Sequence, residues 1–227
     1  MSNKTNASGS VTYAEPIVLA IDIETGSSKL KPDGSPLISV GVAIVDGNMT
    51  TIEKRRFGMP FKRADIDART MSEFWMNTKS NPGIDKALDT FEAEGHVAGT
   101  PAEAMRRLQT FINDWRLTHP TTLVVSDNPI FDIAWLNERY GRLLDCEDLN
   151  HVIRPDGSPC YVGEVLCLRT MKRCIGMLQG SAVGDRATIT EPPLPAHLAH
   201  DHYPENDAEK IACVAVQHMR YLCTKCI

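Results

Sequence analysis

The sequence predicts one mixed-sheet α/β domain, and three observations carry that expectation. Three β-rich runs come first, at 17–25, 37–45 and 51–57, separated by Gly, Pro and Asn turns; consecutive runs of this kind read as antiparallel strands. Helical and strand-like patterns then alternate, which places both kinds of element around one sheet. The length, 227 residues, lets a single domain bury roughly 70–75% of its unfolded surface, so neither disulfides nor metal is needed merely to fold.

The elements follow in order. Ile17–Thr25 is apolar until two acids near its end, and Gly26 to Pro36 is a polar turn. Leu37–Val45 is nearly all apolar and ends at Asp46-Gly-Asn; Thr51–Phe57 completes a three-stranded meander. Thr70-Met-Ser-Glu73 has the pattern of a capping box and leads into Phe74, Trp75 and Met76. Thr100-Pro-Ala-Glu103 is a second one, with Pro101 at the first helical position and Met105, Leu108, Ile112 and Trp115 at helical spacing. Thr121–Val125 reads as a buried strand running through Ser-Asp-Asn-Pro into a helical pattern from Ile133 to Tyr140. Residues 163–178 mix apolar and basic side chains at helix-like intervals, and 176–196 has the Gly and Pro content of a long surface loop. Ala208, Ile211, Ala212, Ala215 and Met219 mark a final helix over 205–223. The Pro-Asp-Gly-Ser-Pro turn occurs twice, at 32–36 and 155–159, as ordinary turn chemistry rather than a repeat.

Composition narrows the classes. Apolar residues make up 42% and charged residues 23%, values of a globular chain rather than a disordered or fibrous one. No run of 18 apolar residues exists to span a membrane, and the polar start carries no secretory h-region. The expectation is an intracellular, cytoplasmic protein with a disordered leader at 1–15, one domain over 16–223 and a tail at 224–227. Lys and Arg number 24 against 29 Asp and Glu, a net charge of −5; that balance does not advertise the basic face of a protein that coats nucleic acid. An enzyme holding only a chain end needs few phosphate contacts. Seven cysteines without secretory context argue against a disulfide framework, and Cys223-Thr-Lys-Cys226 lacks a second ligand pair for structural zinc.

Three acidic motifs carry the chemistry. Asp22 and Glu24 stand two apart on one strand, so both carboxylates share a face. Side by side near a core they repel one another and lose hydration unless a cation neutralises them, although a strand end emerging into solvent has the same pattern. Asn128-Pro-Ile-Phe131-Asp132 lies between a buried strand and a helix, where an acid also serves as a cap. His202-Tyr-Pro-Glu-Asn-Asp207 leads into the final helix.

Taken together, Asp-x-Glu-Thr, then Asn-x-x-Phe-Asp about a hundred residues on, then His-x4-Asp resembles the DEDDh group of DnaQ-like 3′–5′ exonucleases, over about 17–222. Thr-x-x-Glu-Phe-Trp at 70–75 and Cys167-Leu-Arg-Thr170 look like the small stand-alone bacterial and phage exoribonucleases of that family. The resemblance implies an RNase H-like fold: a five-stranded mixed sheet, its first three strands antiparallel, with helices on both faces. It also implies a metal-dependent 3′–5′ exonuclease acting on single-stranded RNA or DNA ends, RNA favoured, releasing 5′-monophosphates; the alternatives are a proofreading or trimming DNA exonuclease and a non-catalytic nucleic-acid-binding module.

By the same resemblance Asp22, Glu24 and Asp207 hold one divalent ion, Mg²⁺ or Mn²⁺, while Asp22 and Asp132 share a second. Two such ions about 4 Å apart clamp the oxygens of an in-line displacement. His202 takes the proton from the attacking water; His197 and His200 lack the five-residue interval to Asp207 and are expected to be loop residues. The loop 176–196 could gate His202. Thr25 offers backbone contacts to the terminal nucleotide, and Asn128 and Phe131 shape the floor. Phe74 and Trp75 are stacking surfaces for bases or, equally, core packing. Asp127 and Pro129 depart from the small residues of many relatives. Arg169, Lys172 and Arg173 meet phosphates or form a solvated helix face. The resemblance further allows a homodimer.

Overall fold

The computed structural model describes residues 16–29, 34–144, 165–179 and 201–225, with Leu198 and four short strands at 4–5, 11–12, 151–153 and 159–161. His197, His200, Cys226 and nearly all of the 176–196 loop lie outside the described residues.

One five-stranded sheet organises the chain: β1 Val18–Thr25, β2 Leu37–Val45, β3 Thr51–Gly58, β4 Leu123–Ser126 and β5 Val165–Cys167. Their order is β3-β2-β1-β4-β5. The first three strands are antiparallel, while β4 runs parallel to β1 and β5 parallel to β4. The helices are α1 Ile84–Val97, α2 Pro101–Thr118, α3 Pro129–Leu144, α4 Leu168–Leu178 and α5 Pro204–Lys225. This is the RNase H-like arrangement. Two short antiparallel ladders are separate from it, Lys4–Thr5 with Val11–Thr12 and His151–Ile153 with Pro159–Tyr161; the first falls within the expected leader.

Strand alternation divides the core into layers. Leu19, Ile21 and Ile23 of β1 pack with Met105, Leu108 and Ile112 of α2 and with Ile133 and Leu136 of α3. Val18 and Ala20 point the other way and pack with Ala208, Ala212 and Ala215 of α5 and Leu168 of α4. Asp22 and Glu24 continue that second row. After Glu24 the register shifts, so that Thr25 pairs with Leu37 past the unpaired Ile38 of β2, and Thr25 lines the pocket described below.

The structure corrects three expectations. Residues 163–178 are not one helix: Val165, Leu166 and Cys167 pair in register with Val124, Val125 and Ser126 before α4 begins. The helix expected from a cap at Thr70 starts earlier, because the Asp67 carboxylate accepts from the Arg69 and Thr70 amides. Thr70 is buried there, and Glu73 instead takes the Arg69 guanidinium at 2.8 Å. This short helix, Ala68–Thr70, continues as a π turn over Met71–Trp75. Helix α1 was not expected at all, although Ile84, Ala87, Leu88 and Phe91 stand at i, i+3, i+4 and i+7 and are buried. Its start lacks a side-chain cap and relies on Gly83 at φ 88°, which is why no capping signature announced it. At α2 the Thr100–Glu103 capping box forms as expected, with both reciprocal hydrogen bonds.

Candidate active site

The site is built where β1 meets the start of α5. Register places Asp22 beside Gly41 of β2, and Gly41 beside Arg56 of β3. Directly paired residues share a face, so these three form one row across the sheet. A β-carbon on Gly41 would lie 1.9 Å from the Pro204 carbonyl carbon. The missing side chain is therefore what lets the first turn of α5 rest backbone on backbone against β2. Ala20 and Ala43 on the sheet, facing Ala208, Ala212 and Ala215 on the helix, extend the same close approach. At the far end of the row Arg56 donates to Glu205 at 2.8 Å and to Glu94 at 2.8 Å, tying the helix start to β3 and α1. Asp207, in that first turn, is thereby brought against Glu24.

Asp132 comes from the other flank. The Asn128 carbonyl accepts from the Phe131 and Asp132 amides, opening α3 immediately after β4. The buried Asp132 carboxylate accepts from the Ser126 hydroxyl, and from the Asn128 amide at 3.3 Å. Asn128 thus shapes this turn through its backbone. The neighbouring extra acid, Asp127, takes Arg169 of α4 at 2.9 Å.

His202 is 7% exposed and stands in the left-handed region at φ 61°, which few residues other than glycine adopt. Its Nδ1 lies 3.9 Å from a Glu24 oxygen, and its ring meets the Phe74 ring edge-on at 5.2 Å. The aromatic contacts continue from Phe74 to Trp75 at 4.9 Å, Phe91 at 6.2 Å and Tyr203 at 5.7 Å. Arg56 stacks over Tyr203 at 5.0 Å and closes the circuit. The strained corner is held from both sides, as a conformation of this cost requires.

Of the two alternatives for Trp75, the structure selects core packing. The side chain is fully buried, and its indole N–H donates to the Thr25 carbonyl at 3.3 Å. It fixes the end of β1 and offers no face to a base. Phe74 keeps a partly exposed ring lining a cavity of about 430 Å³, together with Glu24, Thr25, Ser27 and Phe131. The Thr25 hydroxyl donates to the Ser27 carbonyl at 2.7 Å, and this fastens the pocket wall. A second cavity of about 250 Å³ opens on the α5 side, with Asp22, Asp127 and Asp207 on its wall.

Glu24, His202 and Asp207 each offer a ligand atom within 4.8 Å of the others; Asp22 and Asp132 border this group without belonging to it. Burial pushes the Asp22 carboxyl well above its ordinary value, and the charges of Glu24, Asp132, Asp207 and Asp127 push it further. Glu24 is raised likewise, by burial and then by Asp207 and Asp132. Burial lifts Asp132 to about 6, against the Ser126 and Asn128 hydrogen bonds that favour its charged form. Carboxylates crowded to the point of holding protons, with hard oxygen donors, fit a divalent cation. The structure brings Asp22, Glu24, Asp132 and Asp207 within electrostatic reach of one another, with His202 beside Glu24. Gly41 and Arg56 escaped sequence reading, because cross-strand neighbours leave no local signature.

Similar folds occur in solved exonucleases. Exonuclease I from Methylocaldum szegediense superposes with a TM-score of 0.55 at 16% identity, covering 90% of this chain and 40% of that one. The nuclease domain of 3′hExo, a DEDDh family member solved with rAMP, gives 0.50 at 13% identity over 92% of this chain and 94% of that one. Cell-death related nuclease 4 gives 0.51 at 13% identity, over 90% and 64%. The chain spans less than half the length of the exonuclease I structure it matches. No family model and no curated protein matches the sequence. The chain shares the fold of these nucleases, one of which is a DEDDh family member.

Proposed function

We propose that this chain is a metal-dependent 3′–5′ exonuclease that removes nucleotides from single-stranded ends, RNA ahead of DNA, and releases 5′-monophosphates. The observation that carries the reading is the mutual electrostatic repulsion of Asp22, Glu24, Asp132 and Asp207, with buried His202 beside Glu24 and Asp207 and a nucleoside-sized cavity lined by Glu24. The fold shared with solved nucleases, one of them a DEDDh family member solved with rAMP, supports it.

Asp22, Glu24 and Asp207 would hold one Mg²⁺ or Mn²⁺ ion, and Asp22 and Asp132 a second. Such ions offset the charge on the attacking and leaving oxygens of an in-line displacement. His202 accepts the proton of the attacking water on a ring nitrogen, and the Glu24 carboxylate, 3.9 Å from Nδ1, stabilises the imidazolium that results. Phe74 and Phe131 provide the apolar walls for the terminal nucleoside, a mode that tolerates any base. Thr25 and Asn128 hold the loop backbones that shape those walls.

The test is a gel with matched 5′-labelled single-stranded RNA and DNA, in Mg²⁺, Mn²⁺ or EDTA, with Asp22→Asn alongside. A metal-dependent ladder shrinking from the 3′ end, absent in the variant, supports the reading, and the faster ladder names the sugar. Intact substrate in every lane overturns it in favour of a binding role.

A further inference from the structure

The second cavity has a different chemistry from the first. Two lysines from different helices, Lys172 of α4 and Lys210 of α5, line it together with Asp22, Asp127 and Asp207. The larger cavity has two aromatic rings and several hydroxyls, with Arg69 and Glu73 on its wall; the smaller one has no ring and sets its two ammonium groups and three carboxylates against Leu168, Ile211 and Val214. The acids lie between the two: Glu24 borders the first, while Asp22 and Asp207 border the second. A phosphodiester seated at the acids therefore has a nucleoside-sized pocket on one side and, on the other, a pocket where two lysines stand beside the carboxylates.

Asp127 on the cavity wall pairs with Arg169 of α4 at 2.9 Å. Along α4, Arg169, Lys172 and Arg173 stand at i, i+3 and i+4, so they share one helix face. Arg173 is exposed, and Lys172 sits deeper, at the cavity. Cations thus lead outward from the acids along one helix, in a protein whose net charge of −5 gives little general attraction for a polyanion.

We infer that Lys172 and Lys210 hold backbone phosphate upstream of the scissile bond, making the second cavity the subsite for the nucleotide next to the one released. The inference rests on the exonuclease reading above. It gives the enzyme a sequence-independent grip on the penultimate part of the strand, since phosphate contacts position without reading bases.

The test compares two substrates for the full chain. One is a ten-nucleotide single strand; the other is the p-nitrophenyl ester of thymidine 5′-monophosphate, which has a scissile diester but no upstream phosphate. In Lys172→Gln/Lys210→Gln, kcat/KM on the ten-mer relative to the ester is expected to fall about tenfold. The slope of log kcat/KM against log salt on the ten-mer becomes shallower by about 1.4, at about 0.7 for each single-strand phosphate contact. The arginine pair Lys172→Arg/Lys210→Arg restores both. Equal loss on the two substrates would show that the lysines only balance the acids, and an unchanged salt slope would equally overturn the subsite. A wild-type chain that cleaves neither substrate overturns the exonuclease reading itself, and this inference with it.

Discussion

Asp132 carries a burden of burial that its hydrogen bonds only partly relieve. Its carboxyl titrates near 6 in the fold against 3.8 when unfolded. Between those values the native state keeps a proton that the unfolded chain has lost, so stability falls as pH rises from about 4 to about 6. At 1.36 kcal/mol per unit the cost above that window is about 3 kcal/mol. Asp132→Asn in metal-free buffer is thus expected to melt several degrees above wild type at pH 8, with the gap closing toward pH 4, while hydrolysis is lost. Calorimetry across that range checks it, and a variant less stable than wild type at pH 8 would refute the assignment. His202 makes a separate expectation. His202→Ala should lower kcat by about 10²–10⁴ while the ten-mer still binds. A large shift in the magnesium concentration for half-maximal rate would make His202 a ligand, which its place beside Glu24 and Asp207 also permits chemically.

At the scale of elements, the start of α5 decides whether the site exists. Gly41→Ala forces a methyl into the Pro204 backbone, and neither side can yield as a flexible side chain would. Overpacking of this kind costs typically 1–3 kcal/mol, and a drop in melting temperature of several degrees is expected. Activity should fall further than stability accounts for, because Asp207 moves with the helix; full activity at a lowered melting temperature would refute the seat. Arg56→Lys is expected to behave similarly, since an ammonium keeps the charge but not the fork that spans Glu94 and Glu205. The acids were legible because Asp22 and Glu24 interrupt an apolar run, and Asp132 and Asp207 open helices with periodic apolar faces. Strand β5 was not legible: Val165-Leu-Cys is three residues long, and only pairing with β4 makes it a strand. Trp75 was left open between stacking and core packing because an aromatic pair at a helix start does not say which ring turns inward. The register shift at Thr25 and the Thr25 carbonyl settle that, and both belong to another element.

For the whole molecule, the site joins residues separated by most of the chain, from Asp22 to Asp207. Chelation should leave the fold intact, because three apolar clusters hold the sheet without help from the acids. EDTA is expected to abolish hydrolysis with far-UV circular dichroism unchanged, and Mg²⁺ to raise the melting temperature by binding the native state alone. A chain that unfolds in EDTA would give the metal a structural role instead.

The contact at Gly41 has a kinetic meaning as well. Main chain lies against main chain there, with no compressible layer of side chains between, so the helix cannot lift partway without exposing β2. Deuterium uptake at the amides of β1 and β2 beneath α5 is expected only through global opening, at the slow limit for the molecule. A warmed sample would therefore hold no folded but inactive fraction: hydrolysis and tertiary structure would disappear along a single curve.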